Sequence, residues 1–296
     1  MLKNPSSVLK SLFWLLLCIA HSVSADNSAI RVVTSFSILN DLVNELGGNH
    51  VSVANLVGRN SDAHMYQPKP SDAVAIANAD LVVFNGLGFE GWITRLIENS
   101  GYQNAQLIAS EGVNAIENSG EVDPHAWQSF KNIRVYLHNI TQSLITLRPD
   151  HADEFQERHN KYLAALRALE DSLIKEMARI DENKRIVVTS HDSFGYLGRE
   201  LNIRFLAPLG LSLEDEASAE DVAIIIDQIR EQDVQAIFVG NINNPRLLEL
   251  IAAETQVAIG GRLYSDALSE VDGPANTYLR MMQHNIESLI KTFTKN

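Results

Sequence analysis

The sequence predicts an α/β fold of two (β/α)4 lobes with parallel sheets, joined by a long rigid backbone helix. Three observations predict it. Short β-branched runs alternate with amphipathic stretches, the motif Val-Val-Thr-Ser occurs at 32–35 and again at 187–190, and a long helical pattern lies between the two sets of runs. Because each copy of the motif opens one set, the repeat supports two related halves.

Eight short runs are predicted as strands because they are rich in Val, Ile, Leu and Phe. The first lobe is expected to hold the strands 30–35, 51–57, 81–84 and 106–108. The second lobe is expected to hold the strands 185–189, 203–206, 236–239 and 256–259. Helical patterns rather than tight turns separate the runs, so parallel pairing is expected within each lobe.

The segment from residue 132 to residue 180 has helical periodicity with one break at Pro149. An apolar stripe with spacings of three and four runs along its second piece: Leu163, Leu166, Leu169, Leu173 and Met177. At 1.5 Å per residue this piece would be roughly 45 Å long, enough to span both lobes. We therefore expect a first lobe at 26–147, a linking helix at 148–182 and a second lobe at 183–296.

Residues 1–25 have the features of an export signal. Lys3 and Lys10 give a basic start, and Val23-Ser24-Ala25 is a small-residue cleavage site. The apolar run at 11–20 is well short of the ~20 residues that span a bilayer. The expected product is an exported, periplasmic protein cleaved after Ala25.

Cys18 is the single cysteine of the chain and follows Leu17, whereas lipoprotein processing sites have a small residue before the cysteine. A lipid anchor is therefore not expected, and cleavage would leave a chain without thiols. The net charge of −13 argues against a nucleic-acid partner and fits a cationic one. The stretch 85–88, Asn-Gly-Leu-Gly, lacks the third glycine and the Lys-Ser or Lys-Thr of a phosphate loop, which argues against nucleotide binding.

Four side chains of the kinds that bind metals follow predicted strands: His64, His125, His191 and Asp266. In an open parallel sheet, ligands bind beyond the carboxyl ends of the strands. Three imidazoles and a carboxylate suit a first-row divalent ion, and four protein ligands would close the site. Two ligands come from each predicted lobe, so we expect the ion in the cleft between the lobes.

Each of these residues also has a plainer explanation. A single histidine is more often a surface or packed residue, and Asp266 could cap a helix. Three acids, Asp62, Asp123 and Asp192, adjoin the ligand histidines and could fix an imidazole tautomer. The remaining histidines are interpreted as surface or packed residues: His21, His50, His138, His151, His159 and His284.

The stretches around these residues resemble those of a known family. The matching segments are 62–68, 85–90, 123–127, 188–196 and 260–267. Over its whole mature length the chain resembles the zinc- and manganese-binding solute receptors of ABC importers, which are periplasmic in Gram-negative bacteria. The resemblance implies that the four residues above hold the metal and that the receptor delivers it to an inner-membrane permease. It further implies a monomer without enzymatic activity.

The resemblance also bears on the identity of the ion. Manganese receptors of this family often carry glutamate at the position of His191, and a third imidazole favours Zn²⁺ over the harder Mn²⁺. Zinc is therefore the first expectation, and a manganese or iron receptor is the alternative. Affinity should fall below about pH 6.5, because histidine must be deprotonated to bind. Residues 111–122 are acidic but lack histidine, so they do not match the metal-capturing loop of many zinc receptors.

Two other classes of function remain open at this point. A zinc hydrolase would need an open coordination position and a general base, but Asp266 would occupy the position and no motif supplies the base. An exported adhesin with a structural metal would lose its stability when the ion is removed. The acidic run 213–221, with Ser218 as a helix N-cap and Asp221 three residues later, is either a solvated loop or a contact with the permease.

Overall fold

The computed structural model describes residues 28–118, 120–212 and 217–295. Two four-stranded parallel sheets alternate with helices and confirm the predicted α/β architecture. The predicted export signal and its cleavage site after Ala25 lie outside the described residues. Within the described ranges, no helix is both long enough and apolar enough to cross a membrane.

The two sheets have the same topology. The strands of the first are β1 Ile30–Phe36, β2 Val51–Val57, β3 Leu81–Phe84 and β4 Ala105–Ile108. Those of the second are β7 Ile186–Val188, β8 Arg204–Leu206, β9 Ala236–Val239 and β10 Ile259–Arg262. The orders are β2-β1-β3-β4 and β10-β9-β7-β8, so in each sheet the first strand lies between the second and the third. This agreement supports the two related halves inferred from the repeated motif.

Helices cover both sheets and connect them. They are α1 Ser37–Gly47, α2 Pro70–Ala77, α3 Ile93–Ser100, α4 Phe130–Leu147, α5 Ala152–Met177, α6 Gly195–Leu201, α7 Ala219–Glu231, α8 Arg246–Thr255 and α9 Tyr278–Phe293. A short antiparallel hairpin of β5 Glu117–Asn118 and β6 Glu121–Val122 leads into the segment of His125. Helices on both faces bury the central strands: all but one residue of β1 and every residue of β3 are buried.

The predicted break in the central helical pattern is confirmed. After α4, a 3-10 turn at Pro149–His151 precedes α5, because proline fits only the first turn of a helix. Helix α5 has 26 residues and is about 39 Å long, shorter than expected because it ends at Met177. Its stripe is confirmed, since Leu166 and Leu173 are buried and the partly buried members pack on the same core.

The C-terminal helix packs on elements outside the second sheet as well as on that sheet. Helix α9 contacts α5 and α1 as well as β10, and one core cluster of buried residues extends through both lobes. A smaller cluster packs α7 and α8 against the outer face of the second sheet. The proposed limits at 147/148 and 182/183 remain predictions.

The last strand lies three residues later than predicted, at Ile259–Arg262 instead of 256–259. Gln256 ends α8 in the left-handed conformation at φ 59°, so it cannot begin a strand. The strand itself contains Gly260 and Gly261, which carry no hydrophobic signal. At Gly260 a Cβ would come within 2.9 Å of the Phe238 ring, so the close packing of β10 on β9 requires glycine there.

Candidate metal centre

The structure brings His64, His125, His191 and Asp266 together at the carboxyl ends of the two sheets. Each offers one donor atom, and these atoms all lie within 4.8 Å of one another. Three of the four side chains are buried, and His64 is partly buried. Residues predicted as a set from four distant segments therefore converge between the lobes.

The separations of the donor atoms are those of a small coordination shell. Nε2 of His125 lies 3.3 Å from Nε2 of His64 and 3.5 Å from Oδ1 of Asp266. Nε2 of His191 lies 3.0 Å from Oδ2 of Asp266. A tetrahedral zinc ion with bonds of about 2.05 Å holds its ligands about 3.3 Å apart. The donor set therefore fits one ion of this size.

Several donor atoms of the cluster lack hydrogen-bond partners among the described residues. They are Nε2 of His191 and both carboxylate oxygens of Asp266, all buried. Although His191 and Asp266 are close, the geometry of the pair is not that of a hydrogen bond. Buried polar atoms are rarely left unsatisfied, so these atoms indicate a cation as their partner.

The His64 segment follows β2 and is fixed by three neighbours. Trp92 donates its Nε1–H to the carbonyl of Ala63 at 2.8 Å, and the backbone N–H of His64 donates to Oδ1 of Asp62 at 2.8 Å. The His64 ring stands edge-on to Phe89, with 4.5 Å between the ring centroids. These contacts hold the imidazole beside the other donors.

His125 follows β6, and Asp123 orients it. Oδ1 of Asp123 lies 2.8 Å from Nδ1 of the ring and accepts from the backbone N–H of His125 at 2.9 Å. A proton on Nδ1 leaves the lone pair of Nε2 directed at the cluster, as in carboxylate–histidine–zinc sites. Asp123 is held in turn by the second lobe, because the Tyr196 hydroxyl donates to its carbonyl at 2.8 Å. Gly195 leaves room for this carboxylate, since a Cβ there would lie 2.7 Å from Oδ2.

His191 follows β7, at the corresponding end of the second sheet. Its backbone forms an isolated parallel bridge with Leu209, and the next residue, Asp192, donates its N–H to the carbonyls of Leu209 and Gly210. Ser190 Oγ lies 3.4 Å from Nδ1 of the ring. The strand end and the segment after β8 thus set the position of the imidazole.

Asp266 follows β10 and is tied to the first lobe. Trp127 and Gln128 donate side-chain N–H groups to the carbonyl of Ser265, at 2.8 and 2.7 Å. The alternative role of Asp266 as a helix cap is wrong, since the next helix is α9 and its N-cap is Thr277. The hydrogen bonds to Ser265 fix the carboxylate against the His125 segment.

Burial and charge set the protonation of the cluster. Burial lowers the pKa of His64 to about 4. Burial also acts to lower the pKa of His125, but Asp266 and Asp123 outweigh it and raise that pKa. Burial alone would raise the pKa of Asp266, yet the neighbouring His191 and His125 hold it well below its ordinary value. In the metal-free protein His64 is neutral and Asp266 is ionised at neutral pH.

The three acidic neighbours have different roles. Asp123 bonds an imidazole, Asp62 accepts from the backbone of His64 and Met65, and Asp192 makes no described hydrogen bond through its carboxylate. The sequence did not single out Phe89, whose ring lies 4.6 Å from that of Trp127, beneath the histidines. Both aromatic residues lie in the matching segments 85–90 and 123–127. Their place in these segments was the one sign in the sequence that they belong to the site.

Comparisons with known proteins find metal-binding relatives of the chain. The profile of the family described as zinc-uptake complex component A periplasmic matches residues 32–292. A manganese-binding lipoprotein of Halalkalibacterium halodurans is 31% identical over 268 residues, which cover 90% of this chain and 89% of the relative.

Solved structures give the same result. The periplasmic zinc-binding protein TroA of Treponema pallidum matches with a TM-score of 0.87 and 27% identity, over 90% of this chain and 100% of the other. A manganese-bound periplasmic metal-binding protein of Candidatus Liberibacter asiaticus matches with a TM-score of 0.81 and 30% identity, over 89% of this chain and 99% of the other. Proteins that share this fold and about 30% of this sequence are thus described with different metal ions, zinc in one and manganese in the other.

Proposed function

This chain belongs to the family of zinc-uptake complex component A, the metal-binding solute receptors of ABC transporters, and we propose that its cargo is Zn²⁺ held by His64, His125, His191 and Asp266. The observation that carries the proposal is the set of four donors whose atoms all lie within 4.8 Å of one another, three of the pairs at 3.0 to 3.5 Å. Three imidazoles suit a borderline ion, and affinity rises toward zinc along the divalent series.

Manganese is the second candidate, and one observation favours it. Both oxygens of Asp266 face other donors and lack hydrogen-bond partners, so the carboxylate can bind an ion through two atoms. Three imidazole nitrogens and two carboxylate oxygens would make five donor atoms. Such a set suits a larger, harder ion such as Mn²⁺ better than it suits tetrahedral Zn²⁺. Relatives described as manganese-binding agree with this candidate, and an iron receptor remains within the same alternative.

The proposed capture step follows from the protonation of the cluster. His64 is neutral at neutral pH and is the one donor residue that is partly exposed, so we propose that it meets the ion first. Asp266 and Asp123 raise the pKa of His125, and any proton on its Nε2 has to leave before the metal binds there, because a protonated nitrogen cannot bind a metal. Asp266 supplies a negative charge that offsets part of the charge of the ion.

The proposed partner is the inner-membrane permease of an ABC importer, to which the receptor would deliver its ion as a monomer. The Ser218 capping box predicted from sequence is confirmed at the start of α7, with Oγ of Ser218 accepting from the N–H of Asp221 at 3.1 Å. Residues 213–216 of the acidic run lie outside the described residues. Charge reversal at Glu220 and Asp221, followed by an uptake assay, tests whether this run contacts the permease.

The proposed location is the periplasm, after cleavage behind Ala25 and without a lipid. Several relatives are described as lipoproteins, so the processing of this chain needs a direct test. The intact mass of the exported protein distinguishes a start at Asp26 from a lipidated start at Cys18. A mass that includes acyl chains would contradict the proposal.

We propose no enzymatic activity for the cleft. The family consists of substrate-binding receptors, and the buried carboxylate of Asp266 takes the position that a hydrolase leaves to water. Hydrolysis of a model ester that a chelator abolishes would contradict this. If the protein were an adhesin, deletion of its gene would cause no growth defect in metal-poor medium. We expect deletion to cause such a defect.

The central experiment is elemental analysis of protein from its native compartment, followed by competition between Zn²⁺ and Mn²⁺. We expect one tightly bound zinc per chain and loss of that binding by orders of magnitude in His191→Ala. His138→Ala is the matched control, because His138 is exposed and is not part of the cluster. Unchanged calorimetric affinity in His191→Ala would reject the site, and preferential retention of Mn²⁺ would reject zinc as the cargo.

A further inference from the structure

A second group of metal-binding side chains lies at the other end of β2 from the cleft. It consists of His50, His151 and Glu154, each of which offers one donor atom within 4.8 Å of the others. His50 directly precedes β2 and His64 follows it, so the seven-residue strand, about 20 Å long, separates the two groups. This cluster could not be predicted from the sequence, because His50 lies about a hundred residues before the other two.

The side chains already face one another with short contacts. Nε2 of His50 lies 2.8 Å from Oε2 of Glu154, and Nδ1 of His151 lies 3.1 Å from Oε1 of the same carboxylate. The two imidazole rings are in contact and tilted, with 4.0 Å between their centroids and 32° between their planes. Each carboxylate oxygen therefore contacts one histidine.

Rigid elements hold the three residues in place. His151 and Glu154 flank the start of α5, the longest described helix. His50 ends the 3-10 turn Gly48–His50 between α1 and β2. Gly48 has φ 53°, and a Cβ there would lie 2.2 Å from the guanidinium of Arg158, so this side chain of α5 packs on the turn.

A buried aromatic ring supports the histidines from below. Phe155 is fully buried, and the His50 ring stands edge-on to it with 5.6 Å between the centroids. The His50 and His151 side chains are 21% and 22% exposed, so each ring is largely fixed while one side reaches water. The positions of both imidazoles are thus set before any ligand arrives.

The carboxylate of the group is held in its ionised form. Glu154 lies in the first turn of α5, and hydrogen bonds from His50 and His151 hold its pKa below the ordinary value. A second carboxylate, that of Asp150, lies 3.6 Å from Nε2 of His151. Two imidazoles and one carboxylate are also the donor set of zinc sites that leave one position to water.

We propose that His50, His151 and Glu154 form a second site for Zn²⁺ or another borderline divalent ion on the surface where the first lobe meets the start of α5. Three protein ligands bind the ion and water completes its coordination. The site binds more weakly than the cleft, because it has one ligand fewer and is exposed to solvent. It does not depend on which ion the cleft carries. An ordinary surface ion pair between the same residues is the competing explanation.

The test counts ions in the full chain by equilibrium dialysis at increasing free zinc, followed by elemental analysis. We expect two ions per wild-type chain, in a tight and a weak phase. The double variant His50→Ala, His151→Ala should lose the weak phase and keep the tight one. Glu154→Gln keeps the size of the side chain and should weaken the second phase at least about tenfold.

Two controls separate this site from the cleft and from histidines in general. His191→Ala should lose the tight phase and keep the weak one, so failure of the cleft assignment and of this proposal are distinguishable. His138→Ala should bind two ions like the wild type, because His138 is an exposed histidine outside the group. A single ion per wild-type chain up to millimolar free zinc, or a weak phase that persists in the double variant, would overturn the proposal.

Discussion

The cleft cluster and the surface cluster contain the same kinds of side chain in different surroundings. The cleft has three histidines and Asp266, almost completely buried and held by hydrogen bonds from both lobes. The surface cluster has two histidines and Glu154, which is 59% exposed. From this comparison we expect residue type to select the metals that each proposed site can bind, and burial and supporting contacts to decide how tightly it binds them.

Burial also explains why the pKa of one carboxylate is raised and that of another is lowered. Glu154 is exposed, and its histidine partners hold its pKa below the ordinary value. Glu90 lies beneath the cleft, where burial raises its pKa to about 7 although it accepts from Ser35 Oγ at 2.6 Å and from the backbone N–H of Asn85 at 2.7 Å. Variants of each region therefore test how burial controls metal affinity and stability.

The largest effect is expected for Asp266→Asn. Structural zinc sites with four ligands bind with about 10–16 kcal/mol, so loss of one ligand should cost about 3 kcal/mol, or about a hundredfold in affinity. Competitive titration with a chromophoric chelator measures this at pH 8. Glu154→Gln should leave the tight phase unchanged.

The matched control for charge is Asp192→Asn. Asp192 adjoins His191, and the substitution removes the same charge, but its carboxylate makes no described bond to the donors. We expect less than about a tenfold loss of affinity for this variant. Equal losses in Asp192→Asn and Asp266→Asn would show that general charge, and not coordination, controls binding.

The second effect concerns stability in the metal-free protein. The pKa of Glu90 is raised from 4.5 to about 7, so the folded state holds the proton more tightly than the unfolded state does. Its contribution to stability is fully present below pH 4.5 and is lost as pH rises to about 7. The loss amounts to about 3 kcal/mol.

Glu90→Gln should remove this part of the pH dependence, because glutamine does not titrate. Urea unfolding of the chelator-treated protein at pH 5 and pH 8 measures it in both proteins. Glu154→Gln is the exposed counterpart and should keep the wild-type dependence. A slope between pH 5 and pH 8 that is the same in Glu90→Gln and the wild type would contradict the role of burial.

A loss of affinity between those of Asp266→Asn and Asp192→Asn is expected at Asp123. Asp266 and Asp123 raise the pKa of His125 above its ordinary 6.5, so protons should compete with zinc already above pH 6.5, and not only below it as the sequence suggested. His64, with its pKa of about 4, should add no competition above about pH 5. Asp123→Asn should weaken binding about 10- to 100-fold at pH 8 and move the onset of proton competition to lower pH.

Calorimetry in buffers of different ionisation enthalpy measures the protons released per zinc bound. Fewer protons should be released at pH 7 by Asp123→Asn than by the wild type. An identical release in both proteins would show that Asp123 does not raise the pKa of His125.

Much of the architecture could be predicted because its signals are local. Seven strands lie close to their predicted positions, as does the break at Pro149, since apolar runs and a proline act within a few residues. The strand β10 was predicted three residues too early because Gly260 and Gly261 carry no hydrophobic signal. The apolar Val257 and Ala258 precede it and drew the prediction toward the amino end.

The candidate site could be predicted in part. The four cleft donors were proposed because each follows a strand, and parallel topology brings strand ends together. Their supports were harder to find: Tyr196, Gln128 and Phe89 act through contacts between segments far apart in the chain. Asp123 was one of three equivalent acidic neighbours until its distance to His125 distinguished it.

By itself the sequence determined the two α/β lobes and the central helices, and it proposed four donor residues that the structure brings together, because periodicity and strand-end position are properties of short segments. Only the tertiary structure decided how these parts meet. It anchored the segment of Asp266 to the first lobe through Trp127 and brought His50 against the start of α5. Such contacts depend on the packing of distant segments, which no local pattern of residues encodes.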